Sequence, residues 1–320
     1  SLLSIVPNIK DNKSIKISSS FYKESSDQRN RYKVTNNKNR YIENNELNVL
    51  SKRWNNLAKN SSSLSASAYI IFEDGRYAKF ASNKSLPAAS TIKIAVLYVT
   101  LEKLDKGELL WDELLILDKS SIADGAGWMR YEKLGESFPV HEVATEMIRI
   151  SDNTATNLLI KRIGGLEQLN KRIKDIGLMQ TEVNNLLPDL KGTNKTSTKD
   201  LATLIQLSEN NFSLSRKSRD IFREVMSTSI TNTLIPDGLL YGLGINGGNS
   251  DDKLLIQGFK VYNKTGDIGI AYGDAALLQM PDTSRAILAL IVKGPFNDPE
   301  STKLIRNMTS EIVPYLKLKP

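Results

Sequence analysis

The sequence predicts an α+β protein in which both ends of the chain build one sheet and a helical region is inserted between them. Three observations point there: a hairpin-like pair of segments early in the chain, three strand-like segments late in it, and mostly helical signals from about 110 to 225. Early and late strands bury their apolar faces most simply in a common sheet, which leaves a cleft where the helical region meets it.

Residues 1–44 carry few periodic apolar positions and many Ser, Asn, Lys and Arg, the composition of a polar basic linker or extension. Leu47, Leu50, Trp54 and Leu57 then recur at three- and four-residue spacing, an amphipathic helix. Ala68 to Glu73 and Tyr77 to Phe80, joined by Asp74-Gly75, read as a β-hairpin. Pro87 opens a helical pattern through Lys106. The helical block has loops at Asp124-Gly125-Ala126-Gly127 and around Leu187 to Thr198. Leu254 to Asn263, Ile270 to Met280 and Arg285 to Lys293 read as strands, and Pro299 to Leu316 as a closing helix. The sheet region is thus expected over 45–86 and 215–320, and the all-α region over 87–214.

Composition narrows the chemistry. With 320 residues, 40% of them hydrophobic, the chain can bury a sizeable core. Its apolar runs, such as Ala286 to Val292, fall far short of the ~20 residues of a membrane-spanning helix. The absence of cysteine excludes disulfides, thiol nucleophiles and zinc-thiolate sites. The one histidine, His141, lacks the second histidine of an HExxH zinc helix and suits the first turn of a helix. No metal or cofactor is expected. Of the net charge of +7, residues 1–50 supply +4, from nine Lys or Arg and five Asp or Glu. Such a stretch is a solvated spacer or a loose contact for anionic surfaces, and no nucleic-acid partner is expected.

Three short motifs carry the chemistry. In Ser90-Thr91-Ile92-Lys93, hydroxyl and amine lie three residues apart on one helix face, and free N–H groups at the helix start favour a developing oxyanion. Alone, this spacing arises readily by chance. Ser151-Asp152-Asn153 stands between two helical runs and equally suits an ordinary helix N-cap. Lys264-Thr265-Gly266, followed by Asp267, closes a strand and equally suits a turn. Together and in this order they form the S-x-x-K, S-D-N, K-T-G pattern of class A β-lactamases and penicillin-binding proteins.

From about residue 47 onward the chain resembles the class A β-lactamase-like family. The likeness is close along Ser151-Asp152-Asn153-Thr154-Ala155-Thr156-Asn157-Leu158-Leu159, with Ile163-Gly164-Gly165 following. The resemblance implies a five-stranded antiparallel sheet with flanking helices plus an all-α domain, with the active site between them. It also implies roles. Ser90 is the nucleophile and Lys93 its base, its pKa lowered by Lys264 and partial burial. Ser151 passes a proton to the leaving nitrogen, and Lys264 positions Ser151 and the substrate carboxylate. The backbone N–H groups of Ser90 and Asp267 form the oxyanion hole, while Asn153, Thr265 and Gly266 bind substrate. Trp128 stands where the family often places a cleft-wall aromatic, and core packing explains it equally well.

One departure decides between activities. Class A β-lactamases deacylate with the glutamate of a Glu-Pro-x-Leu-Asn segment. The matching segment here is Leu187-Pro188-Asp189-Leu190-Lys191, so leucine replaces the base unless Asp189 or Glu182 substitutes for it. The loop is about five residues shorter before Thr196-Ser197-Thr198, and Asn185 replaces the usual arginine. A Gly- and Asn-rich insertion spans about Leu240 to Asp252. The pattern is similar to β-lactamase-like penicillin-binding proteins acting as D,D-peptidases. It implies an exported protein with peptidoglycan stem peptides as substrates and β-lactams as covalent ligands. The alternatives are a class A β-lactamase with another base, a non-catalytic β-lactam sensor, and a wall-binding module with a vestigial site. The sensor would need a membrane segment absent from this sequence, and the intact Ser90, Lys93, Ser151 and Lys264 argue against a vestigial site.

Overall fold

The computed structural model describes residues 41–245 and 249–317. The expected linker thus lies, through residue 40, outside the described residues, as do positions 246–248 of the Gly/Asn-rich insertion. The first elements are β1 (Asn45–Glu46), α1 (Asn48–Asn60), β2 (Ser65–Phe72) and β3 (Arg76–Phe80). In α1, Leu50 and Trp54 are fully buried one turn apart, and the Trp54 indole N–H donates to Met308 O at 2.8 Å. Gly75 turns the β2–β3 hairpin at φ +89°, where a side chain would strike Ile42 O.

The inserted region comprises β4 (Leu86–Pro87), a 3₁₀ turn Ala89–Ile92, α2 (Lys93–Asp105), β5 (Leu114–Ile116), β6 (Ser137–Pro139), α3 (Val140–Arg149), α4 (Asn153–Arg162), α5 (Gly165–Asp175), β7 (Lys195–Thr196), α6 (Thr198–Glu209) and α7 (Arg216–Ser227). Lys93 through Glu102 of α2 are all buried, which makes it the central helix of this region. Pro87 does not open that helix, because it sits in β4, paired with Lys195 of β7. His141 lies in the first turn of α3.

The chain closes with α8 (Ile235–Gly242), α9 (Ser250–Ile256), β8 (Lys260–Asp267), β9 (Ala271–Gln279), β10 (Arg285–Lys293) and α10 (Pro299–Ser310), the last followed by a 3₁₀ turn, Val313–Tyr315. Leu254 to Asn263 is not the single strand that its composition predicts. Asn249 accepts the N–H groups of Asp251 and Asp252 and starts a helix, and Gly258, at φ +88°, turns the chain before the strand begins at Lys260.

The strand order is β1-β3-β2-β10-β9-β8. Five strands are antiparallel, and the two-residue β1 adds to β3 in parallel. β2 and β10, from opposite ends of the chain, pair over eight residues between Ala286↔Phe72 and Lys293↔Ser65. Successive side chains of β10 enter different cores, as the two-residue period of a strand requires. Ile287, Ala289 and Ile291 face the helices of the inserted region, whereas Ala286, Leu288, Leu290 and Val292 face α1, α8 and α10. Each fully buried aliphatic side chain contributes about 2 kcal/mol of apolar burial. The sheet ends at β8, and the 3₁₀ turn holding Ser90 packs against that strand and β9.

Candidate active site

Ser90 lies in the 3₁₀ turn just ahead of α2. Its neighbour Ala89 has φ +47°, a left-handed conformation costing a non-glycine residue about 1–3 kcal/mol. Gly266 of β8 lies directly against this turn: a Cβ there would sit 2.8 Å from both Ala89 Cβ and Ser90 N. Only glycine lets the strand approach the Ser90 N–H so closely. On the same strand, Ile268 N–H donates to Ala271 O at 3.1 Å to close the β8–β9 hairpin. Antiparallel alternation then turns the N–H groups of Asp267, Thr265, Asn263 and Val261 away from β9. The N–H groups of Ser90 and Asp267 thus belong to the two elements that meet at Gly266.

Lys93, one turn after Ser90, is completely buried. Its Nζ donates to Ser151 O at 2.6 Å, Ser151 Oγ at 2.9 Å and Asn153 Oδ1 at 2.8 Å. Burial, and then the positive charge of Lys264, hold this amine well below the ordinary lysine range, with Asp152 opposing. A neutral amine keeps two of those donor bonds and turns its lone pair to the third partner, so it can accept a proton from a hydroxyl. Ser151 is a second non-glycine residue with positive φ, +62°. The next residue anchors it: Asp152 caps α4 by accepting from Ala155 N at 2.8 Å and also accepts from Met129 N at 3.0 Å. The Asp124–Gly127 loop wraps this corner. Asn153 Nδ2 donates to Asp124 O, and Gly127 leaves room where a Cβ would come within 2.1 Å of the Asp152 carboxyl group. Trp128 is half-buried beside Phe138 and donates to Glu146 Oε2 at 2.7 Å, a packing role.

Lys264 is also fully buried, and burial brings its pKa down to about 7 against the opposing charge of Asp274. Its Nζ donates to Thr265 O at 2.6 Å. Asp274, opposite Thr265 on β9, is buried too, and burial pushes its carboxyl group up to about 7. It accepts from Ile235 N at 3.0 Å and from Asn263 Nδ2 at 3.1 Å. Both of these groups aimed at it are donors, which suits a carboxylate. Asn263 Nδ2 also reaches Thr231 O at 3.0 Å. Thr231 Oγ1 in turn accepts from Thr265 Oγ1 at 2.7 Å and lies 3.0 Å from Ser229 Oγ. A row of three hydroxyls therefore runs outward from the Lys264-Thr265-Gly266 segment.

The loop that holds Leu187 packs against the chain just ahead of Ser90. Ala88 N donates to Asn194 O at 2.8 Å, and Gly192 packs on Pro87 and Ile268. Leu187 is buried in the core of the inserted region, its backbone clamped by Asn157 through Leu187 N→Oδ1 at 2.9 Å and Nδ2→Leu187 O at 2.8 Å. Of the two candidate substitutes, Asp189 is already engaged. The Asp189 carboxylate accepts from Thr193 N, Thr193 Oγ1 and Asn194 N within its own loop. Glu182 is exposed and its backbone pairs with Lys195.

Ser90, Lys93, Ser151, Asn153, Lys264, Thr265, Gly266 and Asp267, singled out by motif, thus sit on three elements gathered around one corner of the sheet. Asp274, Asn263 and Thr231 escaped the motif reading. Asp274 could have been noticed as the lone charge inside the strand Ala271–Gln279.

The model of the β-lactamase enzyme family matches residues 49–316. The β-lactamase BRO-1 of Moraxella catarrhalis is 24% identical over 297 residues, covering 89% of this chain and 88% of that protein. A β-lactamase of Bacillus licheniformis is 30% identical over 183 residues, 55% of each. Among solved structures, PBP-A superposes with a TM-score of 0.79 at 37% identity, over 86% of this chain and 98% of that one. A leucine-to-glutamate mutant of PBP-A, an acyl-enzyme complex with penicillin G, superposes with a TM-score of 0.78 at 37% identity, over 85% and 98% of the two chains.

Proposed function

The chain is a serine hydrolase of the β-lactamase enzyme family, and we propose that it works as a penicillin-binding D,D-peptidase of the cell envelope, acting on peptidoglycan stem peptides that end in D-Ala-D-Ala. The observation that carries this reading is the clamped, buried Leu187 where a β-lactamase has its deacylating glutamate, beside an acylation set that is complete.

Ser90 Oγ attacks the scissile carbonyl carbon while neutral Lys93 takes its proton. The developing oxyanion is received by the N–H groups of Ser90 and Asp267. The C–N bond then breaks as Ser151 Oγ–H protonates the leaving nitrogen, and Lys93 returns a proton to Ser151. Asn153 holds the substrate amide, and Lys264 and Thr265 hold its carboxylate. With a peptide, the departing amine vacates its side of the cleft, and water or another amine enters there to cleave the Ser90 ester. With a β-lactam, the leaving nitrogen stays tethered and blocks that side. Deacylation then needs a base on the Leu187 side, and leucine cannot supply one. The PBP-A mutant named as a penicillin G acyl-enzyme supports covalent capture of β-lactams in this family branch.

The test is intact-protein mass spectrometry with benzylpenicillin. A penicilloyl adduct lasting hours, absent in Ser90→Ala, together with D-alanine release from diacetyl-Lys-D-Ala-D-Ala, is the expected result. Rapid antibiotic hydrolysis with only a fleeting adduct overturns it in favour of a β-lactamase, the activity named for several relatives.

A further inference from the structure

A groove of about 610 Å³ opens between α1 and the end of β3, on the side of the sheet away from β8. Three exposed lysines line it, Lys52, Lys79 and Lys84, against a single carboxylate, Glu46. Glu46 is already engaged. It accepts from Ser51 Oγ at 3.0 Å and from Tyr77 OH at 3.4 Å, and Lys79 Nζ stands 3.7 Å away. Lys52 has no partner among the described residues, and Lys84 Nζ donates to the uncharged Ser65 hydroxyl at 2.7 Å. The groove therefore keeps an uncompensated positive charge from Lys52 and Lys84.

Its ligand meets side chains, not backbone. Tyr77 O accepts from Leu47 N at 2.7 Å and Lys79 N donates to Ser51 Oγ at 3.1 Å, so this stretch of β3 offers no open strand edge to an extended peptide. Asn48, Asn55 and Asn83 also line the groove, and among the described residues their side-chain amides have no partner. Each amide presents donor and acceptor together, the pair that sugar hydroxyls answer. The half-buried Phe80 adds an apolar ring on which the C–H face of a sugar can lie. Amides, an aromatic ring and free ammonium groups in one groove match a hydroxylated chain that carries carboxylates.

The strand register relates this groove to the catalytic cleft. Phe80 pairs with Ala68, Ala68 with Leu290, Leu290 with Asp274 and Asp274 with Thr265. The groove and the Lys264-Thr265-Gly266 segment thus lie at the same level toward opposite edges of the sheet, four strand spacings or about 19 Å apart. A polymer held in the groove leaves the cleft open and stays close to it.

We propose that this groove binds an acidic polysaccharide, a sugar chain bearing carboxylates, and so holds the enzyme on that polymer without occupying the active site. The inference goes beyond the peptidase reading and does not depend on it.

The experiment titrates the full chain with a hyaluronan decasaccharide, using wild type, Lys52→Glu, Lys84→Glu and Asn55→Ala. Polyphosphate serves as a polyanion without sugar. The wild type is expected to bind hyaluronan, and more weakly as salt rises. Each charge reversal should weaken that binding about three- to tenfold, the scale of an exposed ion pair replaced by repulsion. Asn55→Ala should weaken hyaluronan and leave polyphosphate unaffected. Penicillin acylation of Ser90 should be the same in all four proteins, with or without hyaluronan, which also shows that the variants fold. No binding by the wild type, or binding that the charge reversals leave unchanged, overturns the inference. Polyphosphate bound as tightly as hyaluronan, with Asn55→Ala affecting neither, overturns it too, because the groove would then be a general anion patch.

Discussion

The two sides of the cleft around Ser90 are built to different standards. On the side of α2 and α4, polar atoms converge: Lys93 has three acceptors, Asn153 bonds on both ends of its amide, and Asp152 ties α4 to the residue after Trp128. On the side of the Leu187 loop, the one carboxylate within the segment, Asp189, is used up holding its own turn, and Leu187, the proposed position of a missing base, is apolar. The first side can move protons among fixed groups. The second holds its own carboxylate, Asp189, in place within the loop. On the proposed reading, the difference means that making the acyl-enzyme and breaking it are separately encoded in this fold, and that one can be retained without the other.

Breaking the first side should give the largest effect. Lys93→Met keeps the length of the side chain but removes the base, and the acylation rate by benzylpenicillin should fall about 10³–10⁴-fold, read as the rate of adduct formation. An effect under tenfold would assign proton removal to another group. Adding a base to the second side sharpens the comparison from the other direction. Leu187→Glu should shorten the life of the penicilloyl adduct by about ten- to a hundredfold, below the usual full value of a general base because the shortened loop limits its placement. No change in adduct lifetime would mean that loop geometry, and not the missing carboxylate, blocks deacylation.

How much of this was legible in the sequence follows the same division. Ser90, Lys93, Ser151 and Lys264 sit in local motifs whose spacing alone brings a hydroxyl beside an amine, so they could be read in order along the chain. The hairpin at Asp74-Gly75 and α1 were legible for the same reason. The start of β8 was not. Leu254-Leu255-Ile256 looks like a strand, and its helical form comes from the capping of the preceding turn by Asn249. Glu43, placed with the linker by composition, bonds to Tyr69 and Lys199 at separations of 26 and 156 residues, which no local pattern reveals. Asp274 stands out as the lone charge of its strand, but what it holds was illegible because its partners, Ile235 and Asn263, come from other elements.

That buried aspartate carries the smallest expected effect and a specific signature. Lys264 is charged below about pH 7 and loses its proton above it, so kcat/KM for a carboxylate-bearing substrate should fall as pH rises through that range. Asp274 supplies the charge that opposes this loss. Asp274→Asn keeps the size of the side chain, removes the charge and lowers the Lys264 pKa further. The alkaline limb of kcat/KM should therefore move to lower pH by up to about one unit, a several-fold loss at about pH 7.5 carried mainly by KM. Below about pH 5, where Lys264 keeps its proton in either protein, the two profiles should converge. A loss equal at every pH would instead mean that the substitution merely loosens the contacts to Ile235 and Asn263, and that Asp274 shapes the rim without setting the charge on Lys264.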